Sequence, residues 1–191
     1  AEFKNSELEL TILGERYRYN ADTFFQINPA LLGPLVEFAL GDATGELAID
    51  LYCGVGLFTL PLARRFEAVI AVEGNPTAAR FASRNVEEFA GLENVRIVNM
   101  GVAEWFRPRT LPADFILLDP PRAGAESAVI KGILDFAAPR VTYVSCDPAT
   151  LARDLKKLIA GGYAIESLRA FDLFPQTHHV ETVVRLHLGL D

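Results

Sequence analysis

Cys146 lies in Val141-Thr142-Tyr143-Val144-Ser145-Cys146-Asp147-Pro148, an apolar strand-like run that breaks into a helix start. Asp147 is placed to cap that helix and Pro148 to occupy its first turn. A thiol beside a helix N-terminus feels a partial positive charge, which favours the thiolate and so a nucleophile. An ionised Asp147 would oppose this. The plainer alternative is a buried structural cysteine, the usual fate of a lone thiol; a position at the carboxyl end of a strand, facing the expected ligand crevice, favours the nucleophile. Glu181 opens the final strand after Phe174-Pro175-Gln176-Thr177-His178-His179-Val180. A carboxylate there acts as a general base if the fold brings it to Cys146. His178 and His179 read as loop residues and His187 as an alternating strand position. None stands at a diagnostic spacing from Cys146, so a protease-like Cys-His pair has little support.

Three further motifs fall where short apolar runs end. Asp50-Leu51-Tyr52-Cys53-Gly54-Val55-Gly56 is a glycine loop in which the backbone turns sharply and approaches a ligand closely. Taken alone it is a weak signal. Its lack of a third glycine and its preceding acid lean away from a dinucleotide and towards S-adenosyl-L-methionine, which has no pyrophosphate to seat. Glu73, in Val72-Glu73-Gly74-Asn75-Pro76, is placed to accept both ribose hydroxyls; a solvated strand-end acid is the alternative. Asp119-Pro120-Pro121-Arg122 cannot continue a sheet, and its prolines fix the chain direction. Asp119 then points into the crevice, unless the segment is a simple Pro-Pro loop.

These residues need an alternating frame to hold them. Strands are predicted at Leu47–Leu51, Val69–Val72, Val95–Val98, Phe115–Leu118, Val141–Ser145, Ala164–Leu173 and Glu181–Leu188, and helices at Thr59–Arg65, Pro76–Ala90, Ala125–Phe136 and Pro148–Ile159. Continuous apolar strands alternating with helices predict an α/β, mostly parallel, doubly wound sheet with ligands at the carboxyl ends of its strands. No helix intervenes between the last two strands, so the last is predicted antiparallel. Upstream, Leu8–Leu13 and Tyr17–Phe25 read as a hairpin turning at Gly14-Glu15, followed by a helix with Asn28 as cap, Pro29 at its first position and Gly41 beyond its end. Residues 1–45 are therefore taken as a hairpin and helix packed on a core of residues 46–191.

The 191 residues suffice for one compact domain. No apolar run approaches the roughly 20 residues of a membrane-spanning helix, and Ala1-Glu2-Phe3-Lys4 is not a signal core. The two cysteines, Cys53 and Cys146, form neither a disulfide framework nor a metal-site spacing, so a reducing cytoplasm and no metal are expected. The net charge of −7 argues against a domain that grips nucleic acid unaided.

Taken in order, Phe24-Phe25-Gln26-Ile27-Asn28-Pro29, Asp50 to Gly56, Asp119 to Arg122, Ser145-Cys146-Asp147-Pro148-Ala149-Thr150-Leu151-Ala152-Arg153-Asp154 and His179-Val180-Glu181-Thr182 resemble the RNA 5-methyluridine methyltransferase family. The resemblance runs almost the whole length from Phe24. It implies a class I methyltransferase Rossmann-like sheet, with Gln26, Tyr52, Gly54, Glu73 and Asp119 at the S-adenosyl-L-methionine site, Cys146 as nucleophile and Glu181 as base. Two positions depart from the family pattern. Leu57 follows the glycine loop where asparagine is common, and Met100-Gly101 follows the third core strand where an acid or amide is common; adenine contacts are then expected from backbone groups.

The implied reaction is methylation of uridine C5 in transfer or ribosomal RNA, with the target base out of its stack. Arg122 would steady an enolate oxygen or a phosphate, or else make a surface salt bridge. The acidic charge fits a catalytic domain whose RNA-binding segment lies elsewhere. RNA cytosine-C5 methylation, amino-group methylation and a non-catalytic cofactor- or RNA-binding module are the alternatives. The first usually needs a second cysteine after the fourth core strand, where this chain has Asp119-Pro120; the others make Cys146 dispensable.

Overall fold

The computed structural model describes residues 7–20, 23, 28–107, 112–173, 175–177 and 180–189. A hairpin of β1 (Leu8–Ile12) and β2 (Glu15–Tyr19) comes first. Its turn is Leu13-Gly14, one residue earlier than the sequence suggests, and both residues have positive φ, 51° and 84°. Such a two-residue turn matches the twist of antiparallel strands. The second arm is shorter than expected, and Phe24 and Phe25 lie outside the described residues.

Helix α1 (Pro29–Leu40) starts as predicted, with the Asn28 side chain accepting from Ala30 N, and ends at Gly41, whose N–H donates to Glu37 O. The core then runs β3 (Gly45–Leu51), α2 (Thr59–Ala63), β4 (Phe66–Glu73), α3 (Pro76–Arg84), β5 (Val95–Asn99), α4 (Val102–Trp105), β6 (Phe115–Leu118), α5 (Ser127–Phe136), β7 (Arg140–Ser145), α6 (Pro148–Ala160), β8 (Tyr163–Phe171) and β9 (Glu181–Leu188). The single helix predicted over 76–90 is α-helical only to Arg84, then widens into π geometry over Asn85–Ala90 and closes at left-handed Gly91. Helix α4 went unread because four residues are too few to show a helical period.

The sheet order is β5-β4-β3-β6-β7-β9-β8. β3 to β7 are mutually parallel, and β9 runs antiparallel between β7 and β8. This is the expected class I methyltransferase-like arrangement, with its one reversed strand last in sequence. Chain order reverses at β3, which lies between β4 and β6, and a crevice opens at the carboxyl ends there.

Successive strand residues face opposite layers, so both faces are apolar. Ala48, Phe115, Leu117, Val144 and Val183 pack towards α1 and α2. Ile49, Leu51, Ile116, Leu118 and Tyr143 pack towards α4, α5 and α6. The hairpin is tied on by Tyr17, whose buried hydroxyl donates to Leu57 O at 3.1 Å. No helix among the described residues is long and apolar enough to cross a membrane.

Candidate active site

The glycine loop hangs between β3 and β4. Tyr52 leaves β3 at φ +61°, a left-handed conformation costly for a side chain with a Cβ. Cys53 N–H donates to Val72 O at 3.1 Å, pulling the loop onto β4. Gly54 follows at φ +56°, with open space where a Cβ would sit. Glu73, at the end of β4, holds this geometry: its Oε2 accepts from Gly54 N at 2.9 Å and its Oε1 from Asn75 N at 2.6 Å. Each oxygen keeps further acceptor capacity for a ligand hydroxyl.

Asp50 is fully buried one layer below. Its Oδ2 accepts from the Thr59 hydroxyl at 2.5 Å, and its Oδ1 has no hydrogen-bond partner among the described residues. Burial pushes this carboxyl up to about 7; the Thr59 hydroxyl opposes that shift and the Glu73 charge adds to it. Cys53, also buried, has its thiol driven well above the ordinary range by burial and by Asp50 and Glu73. It is suited to packing rather than attack.

Asp119 leaves β6 with its N–H donating to Leu51 O at 3.3 Å. Burial raises its carboxyl well above the usual range, and the charges of Glu181 and Asp50 add to this. On β7 and β9, Val144 pairs with Val183 and Ser145 with Thr182. Just past that register Cys146 comes near Glu181, whose charge acts on its thiol and which lines the same cavity. A strand running against its neighbours begins at the rim where they end, so the late residue Glu181 reaches the site without a loop. Its side chain is only 1% exposed.

The Cys146 thiol is half-buried and shifted upward, first by burial, then by Glu181 and Asp119. Arg122 opposes this through its charge and a side-chain hydrogen bond to the thiol. The helix end gives little extra help, because Asp147 Oδ1 takes the Ala149 and Thr150 amides at 2.9 and 2.8 Å. The thiolate-favouring environment read from the sequence is thus offset by burial and by carboxylates from other elements.

Tyr52, Gly54, Glu73, Asp119, Cys146 and Glu181 all line one cavity of about 670 Å³. Gln26 lies outside the described residues. The apolar wall is formed by Val55, Phe58 and Ala78, together with Leu57, which is buried. Among the described residues, the acids Glu73, Asp119 and Glu181 lining the cavity outnumber its one cation, Arg122, which suits a positively charged ligand.

Two supports escaped the sequence reading. Asn85, buried where α3 widens, accepts Arg18 N–H at 2.9 Å and donates to Arg18 O and Val55 O, tying hairpin to glycine loop. Asp154 accepts from Ala125 N at 2.9 Å and from the Tyr143 hydroxyl at 2.8 Å, behind the loop that carries Arg122. The Arg153-Asp154 pair was visible as part of a motif, but a motif does not show what it touches.

Comparison with known proteins gives a consistent picture. A family model described as tRNA (uracil-5-)-methyltransferase matches residues 2–188. An uncharacterized RNA methyltransferase of Gloeobacter violaceus is 44% identical over 183 residues, covering 94% of this chain and 39% of its own length. One from Thermotoga maritima is 37% identical over 178 residues, covering 92% and 40%. The chain thus spans about two fifths of these relatives. Among solved structures, the Pyrococcus abyssi tRNA (uracil-54, C5)-methyltransferase in complex with S-adenosyl-L-homocysteine superposes with a TM-score of 0.81 at 32% identity, over 95% of this chain and 44% of that one. M. jannaschii TYW2 in complex with AdoMet, at 18% identity and a TM-score of 0.64 over 97% of this chain and 88% of that one, shares the fold.

Proposed function

The chain belongs to the tRNA (uracil-5-)-methyltransferase family, and from that premise we propose that it is the catalytic domain of an S-adenosyl-L-methionine-dependent enzyme that methylates C5 of uridine in RNA. The observation that carries the reading is the convergence of Cys146, Glu181 and Asp119 on the cavity whose other wall is the glycine loop and Glu73. The Pyrococcus abyssi neighbour, with its S-adenosyl-L-homocysteine, supports the same reading.

The residues present fit the cofactor. The cavity has room for a nucleoside carrying an amino-acid arm. Its carboxylates complement a sulfonium and an ammonium group, and Val55, Phe58 and Ala78 offer an apolar wall for a base. Tyr52, Gly54, Glu73 and Asp119 would hold it, with Glu73 on the ribose hydroxyls; Gln26 is assigned to the same site by motif. When bound, S-adenosyl-L-methionine supplies an electrophilic methyl group and leaves as the homocysteine thioether.

The chain's own residues do the rest. Cys146, as thiolate, adds to C6 of uracil: a C–S bond forms and the C5–C6 π pair moves into an enolate through C4 and O4. That electron density makes C5 nucleophilic enough to take the methyl group. Glu181 then removes the C5 proton, the pair from that C–H bond restores the C5–C6 double bond, and the C6–S bond breaks to return the Cys146 thiolate. Arg122, beside the thiol, stabilises that anion before attack and after release. The RNA, transfer or ribosomal, presents its uracil out of the stack.

The test uses RNA containing 5-fluorouridine, in which C5 carries no proton for a base to remove. With S-adenosyl-L-methionine, a covalent RNA–protein adduct is expected at Cys146 and is lost in Cys146→Ala. Undiminished methylation of ordinary RNA by Cys146→Ala would overturn the reading and favour amino-group methylation, for which no nucleophile is needed.

A further inference from the structure

The Leu-Ala-Arg-Asp run on α6 has no part in the mechanism above, yet its last residue is a fully buried carboxylate. Burying a charge costs several kcal/mol unless it is paired and hydrogen-bonded. A helix that needed only packing would carry an apolar residue there.

The partners show what the carboxylate holds. Asp154 Oδ2 accepts from Ala125 N at 2.9 Å, from the Tyr143 hydroxyl at 2.8 Å and from Arg153 Nη2 at 3.1 Å; Oδ1 accepts from Arg153 Nε at 2.9 Å. The Ala125 amide also donates to the Tyr143 oxygen at 3.1 Å, closing a triangle. Arg153 reaches back to Ala123 O at 2.9 Å, and the Thr150 hydroxyl donates to Arg122 O at 3.2 Å. Gly124 sits at φ +77°, where a Cβ would lie 2.6 Å from Asp154 Oδ2. The Arg122–Ala125 backbone is therefore captured almost residue by residue from α6. Burial pushes the Asp154 carboxyl upward, but the donors from Arg153, Tyr143 and Ala125 outweigh it and hold the group below the usual carboxylate range.

We propose that Asp154, acting with Tyr143, is a positioning residue that holds the Arg122–Ala125 segment against Cys146. Tyr143 lies on β7, which ends at Ser145 just before Cys146, and Asp154 on α6, which begins just after it. One strand–helix unit thus carries both the thiol and the clamp on the segment facing it. Asp119 is anchored separately, through Leu51 O. Loss of the clamp loosens Ala123–Ala125, so that the backbone carrying Arg122 keeps the Thr150 hydroxyl but loses its support behind, and leaves Asp119 on the sheet. The bearing of this on catalysis rests on the proposed role of Cys146, but the test reads the thiol itself.

The groups facing that thiol are Glu181 from β9 and Asp119 and Arg122 from the loop after β6; of these only Arg122 favours the thiolate. Iodoacetamide alkylation of Cys146 is followed against pH in the unmodified chain and its variants, read by mass on the Cys146 peptide so that buried Cys53 does not interfere. Asp154→Asn and Tyr143→Phe are each expected to move the midpoint upward, by roughly half a pH unit or more, as Arg122 drifts away. Arg122→Ala should raise it too, and Asp154→Asn should then add nothing. Asp135→Asn, which breaks an exposed α5 ion pair with Lys131, should leave it unmoved. An unmoved midpoint in folded Asp154→Asn and Tyr143→Phe, or full additivity with Arg122→Ala, would overturn the proposal. If Asp154→Asn fails to fold, the milder Tyr143→Phe and its combination with Arg122→Ala decide. A moved midpoint without any RNA adduct would uphold the clamp and count against the uridine reaction, so the two readings fail separately.

Discussion

The carboxylate of Glu73 accepts the amide proton of Gly54 at 2.9 Å, so the acid ending β4 and the glycine loop leaving β3 form one hydrogen-bonded unit. Glu73 both shapes the loop and lines the cavity it encloses. Glu73→Ala is expected to weaken S-adenosyl-L-homocysteine binding by roughly 10- to 100-fold, the worth of one or two charge-assisted hydrogen bonds. Glu73→Gln, which keeps one acceptor, should lose less. Calorimetric titration checks both, and equal binding by all three proteins would remove Glu73 from the cofactor site.

Asp50 predicts an unusual pH dependence of stability. Its folded carboxyl titrates near 7 because it is buried, against about 3.9 in an unfolded chain. Between those values the folded state holds a proton that the unfolded state has released. Its stabilising contribution is therefore complete below about pH 4 and is lost as pH rises through 7. Asp50→Asn cannot ionise, so its stability relative to the unmodified protein should climb by roughly 3–4 kcal/mol between pH 4 and 8. Denaturant melts at several pH values measure this; a difference that stays constant with pH would show that Asp50 does not titrate in that window.

The raised Cys146 thiol should govern the approach to the proposed covalent adduct. Little thiolate exists at neutral pH when burial and two carboxylates oppose it. The rate of adduct formation with 5-fluorouridine RNA is expected to rise about tenfold per pH unit between 7 and 8.5, following the thiolate fraction. Arg122→Ala should lower the rate at each pH while keeping the slope. A flat profile would mean that another step, or another group, limits the reaction.

Away from the cavity, Gly132 on α5 lies against the Phe106 ring, and a Cβ there would overlap it. Phe106 is locked by Trp105 and Phe136, with ring centroids 5.2 and 5.0 Å away, and cannot easily yield. Gly132→Ala is expected to cost about 1–3 kcal/mol of stability despite the better helix propensity of alanine. Thermal unfolding checks this, and S-adenosyl-L-homocysteine affinity should not change.

Much of this frame could be read along the chain because its signals are local. Asn28-Pro29 and Asp147-Pro148 announce helix starts, and in both the capping side chain accepts first-turn amides. The strands show as apolar runs because both sheet faces are covered. Six expected site residues line one cavity because each sits at, or just past, the same end of the sheet. What stayed hidden depends on contacts between distant segments. Asn85 and Arg18 are 67 residues apart, and Ala125 and Asp154 are 29 apart. The upward shift of Cys146 comes from burial and from acids on other elements, which no inspection of Ser145-Cys146-Asp147 reveals. The widening of α3 at Asn85 likewise follows from the bonds Asn85 makes to β2 and the glycine loop.

The placement of β9 bears on how the protein is made. The strand lies between β7 and β8, though both precede it in the chain. During synthesis the glycine loop, Asp119 and Cys146 all emerge before it. Until residues 181–188 arrive, β8 has no neighbour to pair with and the position opposite Cys146 is empty. β9, made after both its neighbours, thus both closes the sheet and delivers Glu181. A nascent chain halted short of it would hold Gly54 and Cys146 without Glu181, so under the proposed chemistry the base would be the last of these groups to arrive.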